Sequence, residues 1–265
     1  MLVSVIMPTY NCAKFIAASV ETVIAQTVTD WELLIVDDCS KDETAQVLAP
    51  YLTAFPNIRY HRLDQNSGPA VARSTAMAMA QGKYIAFLDS DDLWMPDKLE
   101  KQIRFMQDTG SSFSATAYRR MEEDSTLTDI LRIPPPQVDY HGMLRWANPI
   151  GNSTVIYDRE QLGQFQVPPI RNREDFALWL CILRKAHFCA GMAEELAMYR
   201  VRKNSFSSKK LQMAKYHWIL YRQLEGLSLL KSVWAMACWV TVKLLRRDYV
   251  FSPLAPERKN NRTPQ

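Results

Sequence analysis

The sequence predicts an α/β protein in which helices flank a mainly parallel sheet, followed by a basic helical tail. Over residues 1–90, apolar runs of strand length alternate with longer stretches of helical spacing. The connections between them are short, so right-handed crossovers should join parallel strands. A third observation, an excess of Lys and Arg after residue 202, separates the tail from the rest of the chain.

Four strands and three helices are predicted in this first part. The strands cover residues 2–7, 32–36, 58–62 and 84–88, and the helices cover residues 13–26, 43–55 and 69–81. Polar residues follow three of the strands, and ligands of open α/β sheets bind beyond the carboxyl ends of strands. We therefore expect three groups of side chains to converge: Thr9, Tyr10 and Asn11; Asp37 and Asp38; and Asp89, Ser90, Asp91 and Asp92.

The fourth strand ends in three carboxylates within four residues, at Asp89, Asp91 and Asp92. Like charges this close repel one another unless a cation or hydrogen-bond donors neutralise them. Oxygen ligands of this kind suit Mg²⁺ or Mn²⁺. From the residues alone two interpretations stay open: a metal site, or a solvated acidic turn in which Asp92 or Asp97 caps the helix that starts near Pro96.

The common phosphate-binding loops are absent from the sequence. It contains no G-x-x-x-x-G-K-[ST] motif, and no glycine follows the first strand, where a dinucleotide fold needs G-x-G-x-x-G. A nucleotide would have to be bound in another way. Asp37 and Asp38 can accept hydrogen bonds from a base or ribose, a metal at Asp89 and Asp91 can hold the phosphates, and Arg73 is predicted near the same edge.

Composition indicates an ordinary globular protein. With 265 residues, of which 48% are hydrophobic, the chain can bury a full core in one large domain or two small ones. Its five cysteines are scattered without a C-x-x-C pair, which argues against a disulfide framework and a zinc site. The chain opens directly with a predicted strand, so we expect no signal peptide.

Four motifs, in their order and spacing, resemble the family 2 glycosyltransferases of the GT-A fold. They are residues 5–11 (VIMPTYN), 36–44 (VDDCSKDET), 66–68 (NSG) followed by Arg73, and 87–92 (FLDSDD). The resemblance extends over roughly residues 1–200 and implies a UDP-sugar donor with Mg²⁺ or Mn²⁺, for which Asp91 is the D-x-D ligand assisted by Asp89. It implies these nucleotide-sugar-binding residues: Thr9, Tyr10, Asn11, Asp37, Asp38, Gly68, Arg73, Asp89, Ser90 and Arg202.

The same resemblance assigns the second half of the chain to the acceptor. We expect a helix at 96–107, a long irregular connection at 119–146 and a strand at 151–157. Glu174 and Asp175 begin a further helix, and carboxylates there can stabilise the helix N-terminus. The resemblance implies that Asp175 is the general base. Arg202 stands where relatives commonly have His, and its guanidinium suits a diphosphate. Predicted acceptor contacts are Trp94, Glu174 and Trp179.

The tail has a charge of its own. Residues 203–265 contain 12 Lys or Arg and 3 Asp or Glu, a balance of +9, whereas residues 1–202 have 20 basic and 25 acidic residues, a balance of −5. Residues 227–247 are predicted to form an amphipathic helix whose uncharged run is too short to span a bilayer. Three partners stay open for it: an anionic membrane surface, the catalytic domain, or a dimer partner. No nucleic-acid partner is predicted.

These observations predict a GT-A domain at 1–208, divided into a nucleotide-sugar half (1–95) and an acceptor half (96–208). A basic helical tail at 209–251 and a disordered segment at 252–265 follow. The resemblance implies an inverting, metal-dependent enzyme that moves a hexose from a UDP-sugar to a polyprenyl-diphosphate-linked saccharide. Such enzymes make bacterial O-antigen, capsule or exopolysaccharide, and this one is expected in the cytoplasm, peripheral on the inner face of the cell membrane.

Two alternatives come from other functional classes. Asp89-Ser90-Asp91 also fits the D-x-D of aspartyl-phosphate phosphotransferases and phosphatases, although there the acids follow the first strand and here they follow the fourth. The other alternative is a non-catalytic, membrane-associated sugar-binding protein that has kept the fold.

Overall fold

The structure, a computed structural model, describes residues 1–146, 148–170, 172–202, 210–244 and 251–252. Its elements in chain order are β1 (Val3–Thr9), α1 (Ile16–Ile24), β2 (Trp31–Asp37), α2 (Thr44–Ala54), β3 (Ile58–Arg62), α3 (Pro69–Met79), β4 (Tyr84–Phe87), β5 (Leu93–Trp94), α4 (Lys98–Thr109), β6 (Phe113–Met121), β7 (Leu127–Arg132), β8 (Gln137–Asp139), α5 (Tyr140–Trp146), β9 (Val155–Asp158), α6 (Arg159–Leu162), α7 (Glu174–Ala186), β10 (Phe188–Arg200), α8 (Lys210–Ile219), α9 (Leu229–Leu244) and β11 (Phe251–Ser252).

The first four strands form the parallel part of the sheet, in the order β4-β1-β2-β3. Thr9 pairs with Asp37, and Asp37 pairs with Arg62, so the carboxyl ends of β1, β2 and β3 lie level. The predicted bounds of these strands agree with the structure to within one or two residues. Buried apolar runs of this kind are typical of parallel strands with both faces covered.

The sheet becomes mixed after β4. Strand β9 lies between β4 and β6 and is antiparallel to both, whereas β10 runs parallel to β6. The segment 119–146 is not the irregular connection that the sequence predicted, since β7, β8 and α5 all fall within it. Strands β7 and β8 are defined by pairing with β6 and β10, respectively. Local propensity gives little indication of pairing with strands that are distant in the sequence.

Two apolar clusters cover opposite faces of the sheet, because successive side chains of a strand point to opposite sides. Ile6 and Phe87 belong to the cluster that includes α3 and α7, while Val5 and Leu88 belong to the cluster that includes α1 and α4. The interior positions of β1 and β4 are therefore fixed by packing from both sides. The strand ends are left to carry polar groups.

The C-terminal helices pack on the first cluster. A π-helical turn, Leu220–Leu224, joins α8 to α9, and its Leu220 and Tyr221 are buried in the core together with Ala235 of α9. Tyr221 donates a hydrogen bond to the carbonyl oxygen of Leu144 at 3.2 Å. Within the part of the chain that the structure describes, no helix has both the length and the apolar content that a bilayer crossing needs. Of the segment 252–265, predicted to be disordered, Ser252 instead pairs with Leu131 as part of β11, and residues 253–265 lie outside the described residues.

Candidate active site

The turns after β1 and β2 are hydrogen-bonded to each other. The backbone N–H of Asn11 donates to Ser40 Oγ at 2.8 Å, and Asn11 Oδ1 accepts from the backbone N–H of Lys41 at 2.8 Å. Asn11 has a φ of 48°, which asparagine tolerates better than most residues. Beside it Thr9 is buried, whereas Tyr10 is 41% exposed. Tyr10 is therefore the accessible ring at this edge of the sheet.

The two carboxylates after β2 bind neighbouring loops. Asp37 is fully buried; its Oδ1 accepts from the backbone and hydroxyl of Ser40, and its Oδ2 accepts from the Tyr60 hydroxyl at 2.6 Å. Both oxygens of Asp37 are thus engaged by protein donors, and its contact with the base stays a prediction. Asp38 accepts from the backbone N–H groups of Ser67 and Gly68, at 2.6 and 2.8 Å.

Gly68 sets the direction of α3. Its φ of 91° lies in the region that only glycine adopts readily, and Pro69 opens the helix directly after it. Arg73, one turn further on, is buried with a side chain that is 5% exposed. The predicted placement of Arg73 at the functional edge thus follows from the turn at Gly68.

The three acids after β4 have different environments. Asp89 accepts hydrogen bonds from Arg73 Nη2 at 3.1 Å and from Asn152 Nδ2 at 2.7 Å. Asp92 is buried and accepts from the Ser153 hydroxyl at 2.5 Å and from the backbone N–H of Arg200 at 2.9 Å. Burial raises the pKa of both carboxyls above the usual value.

The interpretation of this stretch as a solvated acidic turn is wrong. Asp92 is buried, and Asp97, at the N-cap position of α4, makes no capping hydrogen bond but pairs with Lys101 at 2.7 Å. Ser90 is also buried, and its carbonyl oxygen accepts from the Ser19 hydroxyl at 2.9 Å. This hydrogen bond from α1 therefore fixes the backbone of the turn.

Asp91 is the acid of this turn that pairs with Arg202. Its Oδ2 lies 3.5 Å from Arg202 Nη1, and its side chain is 20% exposed. Burial, and after it the charge of Asp89, raises the pKa of Asp91 to about 6. Arg200 Nε donates a hydrogen bond to the Asp91 backbone carbonyl at 2.7 Å, which fixes the backbone but does not involve the carboxylate.

The donor set fits a divalent cation only in part. Among the described residues, no group of three or more His, Cys, Asp or Glu side chains is placed to hold a metal ion. Asp89 is already bonded to Arg73 and Asn152, so it fits the predicted metal role less well than Asp91. Asp91 with water and diphosphate oxygens would suit Mg²⁺, which usually binds through one or two carboxylates and substrate phosphates.

Helix α7 places two more carboxylates at this edge. Glu174 Oε1 lies 3.9 Å from Arg73 Nη1, so Arg73 stands between Glu174 and Asp89. Asp175 Oδ2 accepts a hydrogen bond from Asn148 Nδ2 at 3.0 Å. The pKa of Asp89 is raised mainly by burial, against the attraction of Arg73, with a further contribution from the charge of Asp175. The acids of β4 and α7 therefore form one electrostatic cluster.

Two of the predicted acceptor residues belong to the core instead. Trp94 is 2% exposed and its Nε1 donates to the Ser153 carbonyl at 2.6 Å. Trp179 is 0% exposed and its ring lies 5.0 Å from that of Phe87, centroid to centroid. The prediction that these rings stack on an acceptor sugar is wrong, because neither has a free face. A contact of Glu174 with the acceptor stays a prediction.

Four residues that hold the site were not predicted: Asn148, Asn152, Ser153 and Arg200. Asn152 and Ser153 form a short 3-10 turn before β9, which carries them under Asp89 and Asp92. Asn148 precedes that turn with a φ of 62°. Arg200 belongs to the segment that supplied Arg202, but Asn148, Asn152 and Ser153 belong to no motif of charged or nucleophilic side chains, so the sequence contains no signal of their role.

Comparison with known proteins gives consistent matches. The family model for glycosyl transferase family 2 matches residues 4–163. A protein of Bacillus subtilis (strain 168), named for teichuronic acid biosynthesis as the glycosyltransferase TuaG, is 46% identical over 233 residues, which are 88% of this chain and 92% of the relative. The Escherichia coli protein WfgD, named as a UDP-Glc:alpha-D-GlcNAc-diphosphoundecaprenol beta-1,3-glucosyltransferase, is 36% identical over 218 residues, 82% of this chain and 84% of its own.

Solved structures share the architecture. The crystal structure of S. aureus TarS 1-349 in complex with UDP-GlcNAc matches with a TM-score of 0.69 and 21% identity, covering 91% of this chain and 72% of that one. At this identity the likeness concerns the fold alone.

Proposed function

Because the chain belongs to glycosyl transferase family 2 and has the GT-A fold, we propose that it transfers a hexose from a UDP-sugar to a lipid-linked saccharide with inversion. The proposal rests on the position of Arg73, which pairs with Asp89 after β4 and faces Glu174 at the start of α7. This arrangement sets Asp175 beside the carboxylates assigned to the donor.

Asp175 acts as the general base in this proposal. An acceptor hydroxyl attacks the anomeric carbon from the face opposite the leaving UDP, and Asp175 takes the hydroxyl proton as the new bond forms. The hydrogen bond from Asn148 holds one carboxylate oxygen and orients the other. No second protein acid is required, because UDP leaves as an anion.

The donor side has to stabilise the negative charge of the departing diphosphate. Arg202 lies beside Asp91, and Arg73 contributes positive charge next to Asp89. Asp91 would hold Mg²⁺ or Mn²⁺ there; such an ion, when bound, supplies Lewis-acid stabilisation of the leaving group. Tyr10, as the exposed ring at the end of β1, is the residue best placed to stack on the base.

The names of the relatives support the proposed donor and acceptor. WfgD is named for a UDP-Glc donor, a diphosphoundecaprenol-linked GlcNAc acceptor and a beta-1,3 product, and the TarS structure contains UDP-GlcNAc. A β product from an α-linked sugar nucleotide requires inversion. We extend these features to this chain and assign it to the synthesis of a bacterial surface polysaccharide, whether O-antigen, capsule or exopolysaccharide, as a peripheral enzyme on the inner face of the cell membrane.

The phosphotransferase alternative is overturned by the family assignment, since the matched residues 4–163 include the acids after β4. The alternative of a non-catalytic sugar-binding protein makes a different prediction, because such a protein would bind UDP-sugars without turnover.

The test compares wild type with Asp175→Asn, and with Asp108→Asn as a matched control on the exposed side of α4. UDP-sugars with Mn²⁺ are first screened by thermal shift, and transfer is then measured to polyprenyl-diphosphate-linked GlcNAc. Asp175→Asn should keep its affinity for UDP and lose transfer by about 10²–10⁴-fold, the usual contribution of a general base. Full transfer by Asp175→Asn refutes the assigned base, and a wild type that binds UDP-sugars without any turnover refutes the proposed activity.

A further inference from the structure

Helix α9 exposes a row of large apolar side chains, which we call the outer face. It comprises Leu229, Leu230, Val233, Trp234, Ala237 and Val240, which recur at helical spacing. Leu230 is 83% exposed and Trp234 is 54% exposed. Single exposed apolar residues are common on soluble proteins, but a contiguous apolar surface marks a site of interaction.

The opposite side of α9 is already packed against the protein. Ser232, Ala235, Trp239 and Val242 are buried there, and Trp239 lies 5.0 Å from the ring of His217, centroid to centroid. The contacts with the domain therefore account for one side of the helix and leave the side chains of the outer face exposed. A helix that is apolar all round normally has both sides covered.

The charges around the outer face indicate which kind of partner it binds. Helix α9 contains no acidic residue, and Lys231 is exposed beside Leu230. The exposed Arg145 of α5 lies over the ring of Trp234, with its Cζ 5.7 Å from the centroid. The sequence from residue 203 onward carries a balance of +9. An apolar strip flanked by basic side chains matches a surface with anionic head groups above hydrocarbon.

A second copy of the chain is a poorer match. Pairing two outer faces would bring two basic tails together, with no acidic residue on either α9 to offset their repulsion. A lipid surface, in contrast, supplies both negative charge and an apolar phase.

The outer face also lies next to the acceptor side of the site. Helix α5 carries Arg145 against Trp234, and three residues further on Asn148 donates its hydrogen bond to Asp175. A surface bound to α9 would therefore adjoin the segment that holds the proposed base.

We propose that the outer face of α9 docks on an anionic lipid surface, with Leu230, Val233 and Trp234 inserted at the boundary between head groups and acyl chains. Docking there places Arg145 at the membrane, where a lipid-linked acceptor is anchored, and Asn148 follows it by three residues in the sequence. The link to the acceptor rests on the proposed function, whereas lipid binding does not, since it requires neither donor nor acceptor.

The experiment measures binding of the full chain to vesicles by flotation, without nucleotide or sugar. Phosphatidylcholine vesicles are compared with vesicles that also contain phosphatidylglycerol, for wild type and for the double variant Leu230→Gln/Trp234→Gln. Leu127→Gln is the matched control, because Leu127 is a 51% exposed leucine of β7 and not of α9. Thermal unfolding and UDP affinity establish that each variant is folded.

Wild type and Leu127→Gln should bind the anionic vesicles, with weaker binding to neutral ones and in high salt. The double variant should bind at least about ten-fold more weakly, as expected when a Leu and a Trp side chain are withdrawn from an apolar phase. Equal binding by wild type and the double variant overturns the proposal. So does sedimentation that reveals a dimer of the wild type, absent in the double variant, when neither protein binds vesicles.

Discussion

Asn148 Nδ2 donates a hydrogen bond to Asp175 Oδ2 at 3.0 Å, across a separation of 27 residues. The two residues reach this contact from different directions, Asn148 from the segment after α5 and Asp175 from the first turn of α7. The amide therefore fixes a carboxylate that would otherwise rotate at the end of a helix. Orientation of this kind matters for catalysis because small displacements of a reacting group cost large factors in rate.

Removing the Asn148 amide should slow transfer without weakening the binding of the donor. Asn148→Gly is the suitable variant, because the φ of 62° at this position is strained for alanine. We expect kcat to fall by about 10- to 100-fold from misplacement of Asp175, with the affinity for UDP unchanged. Steady-state kinetics with calorimetry of UDP binding measures both. Asn172→Gly, at a second left-handed position with a φ of 60°, is the control; an unchanged kcat in Asn148→Gly contradicts the positioning role.

Asp91→Ala should remove the metal-dependent part of donor binding. Asp91 accepts from Arg202 Nη1 at 3.5 Å, whereas Asp89 accepts shorter hydrogen bonds from Arg73 and Asn152. We expect UDP to bind the variant with the same affinity with and without Mn²⁺, whereas wild type should gain on the order of ten-fold or more from the ion. Titration calorimetry gives the comparison. Asp97→Ala, which changes an acid paired with Lys101 on α4, should retain the effect of Mn²⁺; the same retention in Asp91→Ala would exclude the assigned ligand.

Lys98 should make the stability of the protein rise with pH. It is fully buried, its Nζ donates to Gln102 Oε1 at 2.7 Å, and it lies 4.3 Å from the centroid of the Trp94 ring. Burial lowers the pKa of Lys98 well below its ordinary value of 10.5. Between the native pKa and 10.5 the unfolded chain binds more protons than the native protein, so the free energy of unfolding increases with pH and decreases as pH falls through this range.

The variant Lys98→Met removes the titrating amine, so its free energy of unfolding should depend less on pH than that of wild type. Within the affected range the slope of wild type should exceed that of the variant by up to about 1.4 kcal/mol per pH unit, the value for one proton. Urea unfolding at a series of pH values from neutral to alkaline measures both slopes, with Lys41→Met, at an exposed lysine, as control. Parallel curves for wild type and Lys98→Met would show that Lys98 does not titrate differently in the two states.

Short-range patterns predicted the nucleotide half of the fold well. Strand β3 was predicted with the bounds that the structure has, and the turn at Gly68 carries Arg73 to the predicted edge. The burial of Asp37 was not predicted, since a carboxylate at a strand end looks the same in sequence whether it faces a ligand or a neighbouring hydroxyl. The Tyr60 and Ser40 contacts that bury it come from the next strand and the following turn.

The predicted helix at 227–247 is a second case in which the sequence did not show which surface a side chain faces. Its predicted apolar face included Leu230, Val233, Trp234, Ala237 and Val240, which all belong to the outer face of α9. A second apolar side, with Ala235 and Trp239, is the one that packs on the domain. Which side turned inward depended on the surfaces of α5 and α8, and hydrophobic spacing does not contain that information.

The sequence by itself determined the alternation of strands and helices, the glycine turn before Arg73 and the clustering of acids after β4, because each depends on residues close together in the chain. Only the tertiary structure decided which hydrogen-bond partners each of these acids has, and which side chain holds Asp175. Those outcomes depend on contacts such as Asn148 with Asp175 and Asn152 with Asp89, which join residues 27 and 63 positions apart. Hydrogen bonds over such separations form only when packing of the whole sheet brings the two segments together.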